Sequence, residues 1–228
     1  MNWLFPHRSL EKQRQALLKK APDFVGLQSY LRTPFPVLRT PIDELSYLVL
    51  DFETTGLNAS TEAILSVGYT VIEDMRVKLG KSDHHVVMVN REIPPESIVI
   101  HGITDDRMQD GRHLHDVMDD LFAVMAGRIL LVHYDSVEKN FLQAYCQRQY
   151  GFTIPMIMLD TLAIEQRYRQ RHGMGAGGNQ LRLFNLRTDY GLPRYKAHNA
   201  MIDAIATAEL FLAQLTNRNE PRLKDLMS

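Results

Sequence analysis

Short apolar runs alternate with amphipathic stretches through the middle of the chain. Runs of strand length and composition predict five strands, at residues 47–53, 63–74, 84–90, 128–134 and 155–160. Apolar residues at three- and four-residue steps predict helices at residues 112–126, 136–149, 161–171, 181–190 and 199–216. The first three strands are close enough in sequence to pair antiparallel, and the later ones alternate with helices. The pattern therefore predicts an α/β fold in which helices flank a mixed five-stranded sheet.

The first 45 residues have a different character. Residues 9–20 predict a short basic helix, capped by Ser9, and three prolines between positions 34 and 41 then indicate an extended connection. A chain of 228 residues, 45% of them hydrophobic, is long enough for one sizeable core. We therefore expect an N-terminal extension at 1–45, one compact domain at 46–216 and a C-terminal tail at 217–228.

Charge and cysteine content exclude several classes of protein. The formal net charge is −1, from 26 basic and 27 acidic side chains, so any polyanionic partner must be bound locally rather than by a long-range field. Cys146 is the only cysteine, which excludes an intramolecular disulfide and a cysteine-based zinc site. No apolar run approaches the roughly 18 residues of a membrane span. We expect a soluble, cytoplasmic protein with no membrane partner.

Two carboxylates lie at the end of the first predicted strand, in "LVLDFETTGL". Residues two apart on a strand point to the same side, so Asp51 and Glu53 present their carboxylates next to each other. One interpretation is a strand end that enters a solvated turn at Gly56. The other is a site for a hard cation such as Mg²⁺ or Mn²⁺, which prefers oxygen ligands. The second interpretation requires further carboxylates from elsewhere in the chain.

The stretch "AHNAMIDAIATAEL" offers such a carboxylate. Asp203 lies in the first turns of a helix dominated by small apolar residues, where an unpaired carboxylate is costly to bury. His198 precedes it by five residues at the start of the helix. Taken alone, His198 is typical of a polar helix terminus, but together with Asp203 and the strand pair it indicates a shared site.

These stretches, in their order and spacing, resemble the DEDDh family of 3′→5′ exonucleases, and in particular its proofreading epsilon-subunit type. The resemblance rests on "DFETTGL", "HGIT" at 101–104, "LVHYDSVEKNFL" at 131–142 and "AHNAMIDA" at 197–204, and covers roughly residues 46–216. "LRLFNLRTDYGL" is also similar to the leucine-spaced helix of that family. The resemblance implies a ribonuclease-H-like mixed sheet, which agrees with the predicted strand order.

The resemblance also implies the chemistry. Asp51 and Glu53 match the first two acidic ligands, Asp203 the last, and His198 the catalytic histidine. Such a set implies two divalent cations, Mg²⁺ or Mn²⁺, which neutralise charge on the phosphate and lower the pKa of a water molecule. Histidine ionises near neutral pH and can accept the proton of that water. The expected products are nucleoside 5′-monophosphates, released from a 3′ end.

The turn after the first strand resembles the part of the family site that grips the terminal nucleotide. Backbone and hydroxyl groups of Thr54 and Thr55, next to Gly56, are expected to contact it, and Leu57 is expected to pack on a base. Turn formation is an alternative role for the two threonines, and both roles can hold together.

The middle motif departs from the family pattern of His-Asn, Phe-Asp and Phe-Leu. This chain has Tyr134 in place of the asparagine and Glu138 in place of the aspartate. In one interpretation Asp135 and Glu138 form a capping box at a helix start, and the carboxylate ligand is lost. In the other, which we favour, Glu138 binds a metal directly or through a water. Asp135 is a weaker substitute, since it is out of register.

Other prominent stretches have simpler interpretations. "GMGAGG" at 173–178 lacks the Lys-Ser or Lys-Thr of a phosphate-binding loop and indicates a connector. "EQRYRQRH" at 165–172 is either a phosphate-contacting or a solvated helix face. "QLRLF" at 180–184 is similar to a peptide that docks on a sliding clamp, but Leu183 and Leu186 also fall on the core spacing of a helix of the family, and we favour a packing role. The histidines at 84, 85, 113 and 115 lack the pattern of a zinc site.

Two functions of different class remain open. The favoured one is a metal-dependent 3′→5′ exonuclease that acts on single-stranded or frayed ends. DNA is the favoured substrate and RNA stays open, and a DNA polymerase subunit or a sliding clamp is a further candidate partner. The alternative is a nucleic-acid-binding or regulatory module that has kept the fold and lost turnover through the change at Glu138.

Overall fold

A computed structural model describes residues 6–89, 109–175, 178–216 and 221–227. The "HGIT" motif at 101–104 and two residues of "GMGAGG" lie outside the described residues. Among the described residues, no helix combines the length and apolar character needed to cross a bilayer.

The centre of the fold is a six-stranded mixed sheet. Its strands are β1 (Tyr47–Thr54), β2 (Ile64–Glu73), β3 (Arg76–Val77), β4 (Asp83–Val86), β5 (Ile129–Val132) and β6 (Met158–Asp160). The order is β3-β2-β1-β5-β6, and β4 also pairs with β2. The pairs of β2 with β1, β3 and β4 are antiparallel, whereas β5 is parallel to β1 and to β6. The predicted mixed sheet is confirmed.

The prediction of five strands was one short. The missing strand, β3, has only two residues and follows a tight turn in which Asp74 and Met75 both have positive φ, at 53° and 54°. Two residues are too few to show an alternating pattern, and "DM" is not one of the dipeptides that usually mark such turns.

The described residues form eight α-helices around the sheet. They are α1 (Pro6–Leu18), α2 (Val25–Arg32), α3 (Leu114–Met125), α4 (Ser136–Tyr150), α5 (Thr161–Arg171), α6 (Leu183–Asp189), α7 (Ala200–Leu215) and α8 (Leu223–Leu226). The five helices predicted between 112 and 216 are all present, with ends shifted by a few residues. Helix α7 packs against β1 and β2, and this contact positions the site described below.

The N-terminal segment contains more structure than the sequence indicated. Helix α1 begins at Pro6 rather than at Ser9, and α2, which the pattern did not predict, follows it. Leu27 and Leu31 of α2 are completely buried, and α2 packs on α3. Gly26 permits the close approach, because a Cβ there would lie 1.7 Å from the carbonyl oxygen of Asp119. The boundary of the compact domain at residue 46 stays a prediction, but α2 belongs to its hydrophobic core.

The described part of the C-terminal tail also packs on the core. Leu223 and Leu226 of α8 are buried, at 0% and 1% exposure. The amide of Leu223 donates to the carbonyl oxygen of Thr40 at 3.1 Å, so α8 is held beside the segment that leads into β1.

Candidate metal centre and active site

The site begins at the carboxyl end of β1. Asp51 and Glu53 lie on the same face of this strand, as their spacing predicts, with Asp51 half-buried and Glu53 5% exposed. Their antiparallel partners on β2 are Gly68 and Ser66. The register shifts between Glu53 and Thr54, so regular pairing ends directly after the second carboxylate.

Gly68, the partner of Asp51, allows α7 to approach the sheet. A Cβ at Gly68 would lie 2.1 Å from the carbonyl carbon of Ala200 and 2.1 Å from the amide nitrogen of Met201. The backbone of the first turn of α7 therefore rests directly on β2. Ala200 and Ala204 are completely buried, in agreement with the close packing that small residues allow.

This close contact brings a third carboxylate to the site. Asp203 lies in the first turn of α7, whose N-terminus is capped by the side chain of Asn199 through the amide of Ile202. Carboxylate oxygens of Asp51, Glu53 and Asp203 all lie within 4.8 Å of one another. The predicted convergence of these three residues is therefore observed in the structure.

Three acidic side chains at such short range are unfavourable without a counter-charge. Burial, and then the negative charges of Glu138, Glu53 and Asp203, raise the pKa of Asp51 well above its ordinary value. A bound divalent cation reverses this effect, because it favours the ionised form of every carboxylate around it. The donor set consists of carboxylate oxygens, which suit hard cations such as Mg²⁺ and Mn²⁺. The acidic group thus fits divalent metal ions.

Glu138, the residue that departs from the family pattern, is buried beside β1. It is 4% exposed, and its Oε1 accepts a hydrogen bond from the amide of Phe52, between the two strand carboxylates, at 3.4 Å. Its Oε2 has no hydrogen-bond partner among the described residues. Burial, with smaller effects from Asp160 and Asp135, raises the pKa of Glu138 to about 8 against the opposing effect of two backbone amides.

The capping-box interpretation of Glu138 is wrong. Asp135 is the N-cap of α4, but its side chain makes no capping hydrogen bond, and Glu138 reaches across to β1 instead. Glu138 is not a member of the three-carboxylate group. A role for it as a direct or water-mediated ligand stays a prediction, as does Asp135 as a substitute.

The backbone of His198 contacts the acidic group. Its φ is 67°, and its amide donates to Oδ2 of Asp203 at 2.9 Å, while the residue as a whole is exposed. The positive φ turns the chain immediately before α7 and places the histidine beside the acidic group. The catalytic role of its imidazole stays a prediction.

A buried arginine, which the sequence analysis did not single out, holds the segment that precedes His198. Arg187 is 1% exposed and donates to the carbonyl oxygen of Pro193 and to Oε2 of Glu209, both at 2.8 Å. The ring of Tyr195 lies over its guanidinium, 4.6 Å from centroid to Cζ. A buried arginine has no sequence signature of its own, whereas Gly68 within a strand and Asn199 before a helix are recognisable signals.

The turn after β1 is stabilised by both threonines. The hydroxyl of Thr54 donates to the carbonyl oxygen of Gly56 at 2.8 Å, and that of Thr55 accepts from the amide of Ala63 at 3.0 Å. Thr55 also donates to the carboxylate of Glu62. Both threonines therefore form the turn, and their predicted contacts with a nucleotide stay a prediction. Leu57 is 76% exposed and is accessible at the same edge.

Two other sequence stretches have mainly structural roles. In "EQRYRQRH", Arg169 is buried in an ion pair with Glu165 at 2.9 Å, and Arg167 donates to the carbonyl oxygens of Leu226 and Met227. In "QLRLF", Leu181 is 3% exposed. Leu181 packs in a small cluster with Leu186 and Leu210, and docking of this peptide on a clamp stays a prediction.

Comparisons with known proteins identify the family of the chain. The family model described as "Exonuclease" matches residues 48–211. DNA polymerase III PolC-type from Thermotoga petrophila is 26% identical over 193 residues, which are 82% of this chain and 14% of that protein. DNA polymerase III subunit epsilon from Treponema pallidum is 28% identical over 178 residues, or 77% of this chain and 79% of that protein. The chain thus spans only a small part of the first of these relatives and most of the second.

Solved structures share the fold. The nuclease domain of 3′hExo, described as a DEDDh family member bound to rAMP, superposes with a TM-score of 0.63 at 16% identity, covering 78% of this chain and 94% of that one. Exonuclease I superposes with a TM-score of 0.67 at 17% identity, covering 79% of this chain and 42% of that one. With the family model matching well over half of the residues, the chain belongs to the exonuclease family.

Proposed function

We propose that this protein is a metal-dependent 3′→5′ exonuclease. It hydrolyses phosphodiester bonds at single-stranded or frayed 3′ ends, of DNA in preference to RNA, and releases nucleoside 5′-monophosphates. The observation that carries the proposal is the meeting of Asp51, Glu53 and Asp203 within 4.8 Å at the end of β1, in a chain of the exonuclease family.

The acidic group would hold the divalent ions, Mg²⁺ or Mn²⁺. When bound, two such ions supply charge neutralisation on the phosphate and a lowered pKa for an attacking water. Asp51, Glu53 and Asp203 would hold one ion, and Asp51 together with Glu138 the second. The buried Oε2 of Glu138, which has no partner among the described residues, supports a ligand at this position.

The remaining residues would bind and orient the substrate and move the proton. The ring of His198 would accept a proton from the attacking water, because the backbone of this residue is tied to Asp203 at the acidic group. The turn of Thr54, Thr55 and Gly56 would bind the terminal nucleotide through backbone groups. Leu57, exposed at this turn, would pack on its base.

A preference for DNA and a polymerase partner are supported by the relatives, which are named as DNA polymerase III proteins. A sliding clamp is a less well supported partner, because Leu181 of the peptide that resembles a clamp-binding motif is buried. We also propose a cytoplasmic location.

A second candidate function is a nucleic-acid-binding or regulatory module without turnover. It is favoured by one observation: Glu138, which replaces the family aspartate, lies outside the group of three carboxylates. In that case the fold and the nucleotide contacts would be retained, and the second ion would be bound too weakly for hydrolysis.

The test is a single-stranded oligonucleotide, labelled at its 5′ end and incubated with Mg²⁺ or Mn²⁺. Stepwise shortening by the wild type, lost in Asp51→Asn and in Asp203→Asn, supports the enzyme. The matched control is Asp74→Asn, since the side chain of Asp74 is 83% exposed in the turn at the opposite end of β2. Binding without shortening under either ion supports the module instead.

A further inference from the structure

Tyr134 lies at the same edge of the sheet as the acidic group. Strands β1 and β5 are parallel, with Val49 beside Leu131. Asp51 lies two residues beyond Val49 on β1, and Tyr134 lies two residues beyond Val132, where β5 ends, so both follow the paired residues in the same direction. Asp160 makes a second link, because it accepts the amide of Tyr134 at 2.8 Å and its charge acts on Glu138.

The backbone of Tyr134 has an unfavourable conformation. Its φ is 74°, in the left-handed region that asparagine and glycine tolerate and a bulky side chain rarely adopts. The surroundings impose this conformation. Asp160 accepts the amides of both Tyr134 and Asp135, at 2.8 and 3.4 Å, while it also caps α5. The family pattern has asparagine at this position, which would fit with less strain.

The ring of Tyr134 gains little packing in return. The residue is 51% exposed, whereas the aromatic residues in the interior, such as Phe52, Phe122 and Phe141, are 5% exposed or less. An exposed aromatic side chain, held in a strained backbone conformation beside an active site, indicates a binding role rather than a structural one. Leu57, 76% exposed, is another large apolar side chain that is accessible after β1.

We infer that Tyr134 is a stacking platform for a nucleobase near the 3′ end of the substrate. Stacking on an aromatic ring tolerates any base, because every base has a π-face, and therefore suits an exonuclease that must accept all sequences. The inference rests on the proposed function for its substrate class. It adds a contact in the middle motif, at a position where this chain departs from the family pattern.

The test combines a change in the protein with a change in the substrate. The parent protein for this test carries Asp51→Asn, which prevents degradation of the oligonucleotide. Binding of a single-stranded oligonucleotide to it is measured by fluorescence anisotropy. Adding Tyr134→Asn should weaken binding by about tenfold, the fold-change expected for one lost stacked base. Tyr134→Phe keeps the ring and should stay close to the parent. When the base that stacks on the ring is removed from the oligonucleotide, the parent and the Tyr134→Asn protein should bind it equally well.

Stability provides a readout that a purely structural role would not give. Because asparagine adopts a positive φ more easily, Tyr134→Asn should raise Tm while it weakens binding. Asp74→Gly relieves positive φ in the distant turn before β3 and should leave binding unchanged. Equal binding of the intact oligonucleotide by the Tyr134→Asn and parent proteins, or a loss that is the same for every abasic position, would overturn the inference. Neither result changes the outcome of the hydrolysis assay with Asp51→Asn. A failure of the stacking inference can therefore be distinguished from a failure of the proposed exonuclease function.

Discussion

Replacing Gly68 with alanine should separate α7 from β2 and thereby open the acidic group. The added Cβ would lie 2.1 Å from two backbone atoms of the first turn of α7, whereas ordinary contacts begin at 3.4 Å. The helix must therefore retreat by about 1.3 Å, the difference between these distances, because the neighbouring atoms of Ala200 and Met201 are rigid backbone. Asp203, which lies in this same first turn, would move with it.

The expected cost has two parts. Overpacking of this kind destabilises a protein by roughly 1–3 kcal/mol. A displacement of about 1 Å in a catalytic group reduces activity by about 10²-fold. Gly68→Ala should therefore remain folded at 25 °C, with a lower urea midpoint, and lose most of its exonuclease activity and Mn²⁺ affinity.

The assays are urea unfolding followed by circular dichroism, Mn²⁺ titration by calorimetry, and oligonucleotide hydrolysis. Gly80→Ala is the matched control, because a Cβ at Gly80 would meet no atom within 4 Å. A folded Gly68→Ala protein with the Mn²⁺ affinity and activity of the wild type would refute the reasoning that this glycine sets the position of Asp203.

Three further predictions concern charge. Folding raises the pKa of Glu138 from its ordinary value of 4.5 to about 8, so the folded protein binds one proton more than the unfolded chain between these pH values. In the presence of a chelator that removes metal ions, the free energy of unfolding should therefore fall as pH rises through this range. Glu138→Gln should flatten this dependence, measured as Tm against pH; an unchanged slope would contradict it. Mn²⁺ at 100 times its Kd should stabilise the wild type by about 2.7 kcal/mol and therefore raise its Tm, as measured by differential scanning fluorimetry. The Tm of Asp51→Asn should stay nearly unchanged. Arg187→Met leaves Glu209 without its buried cation and should cost roughly 3–5 kcal/mol in urea unfolding, against little effect for exposed Arg171→Met.

The acidic group could be predicted because each part of it has a local signature. Asp51 and Glu53 follow an apolar run at the spacing that puts them on one face, and Asp203 interrupts a helix of small residues. The order of strands and helices was likewise visible in the hydrophobic pattern. These features depend on neighbouring residues in the sequence, and the structure confirms them.

Features that depend on distant contacts could not be predicted. Glu138 fits a capping box by spacing alone, and only the folded chain shows that it reaches the amide of Phe52. Helix α2 is short and contains Gly26, and its stability comes from packing on α3 rather than from its own residues. Strand β3 pairs with β2 through two residues, too few to leave a pattern.

The carboxylates of the acidic group come from the first strand and from the last long helix among the described residues. During translation, a chain that has been synthesised only as far as β6 does not yet contain Asp203, so its acidic group is incomplete. The hydrolysis that we propose for this group therefore requires that synthesis has passed residue 203 and that α7 has docked.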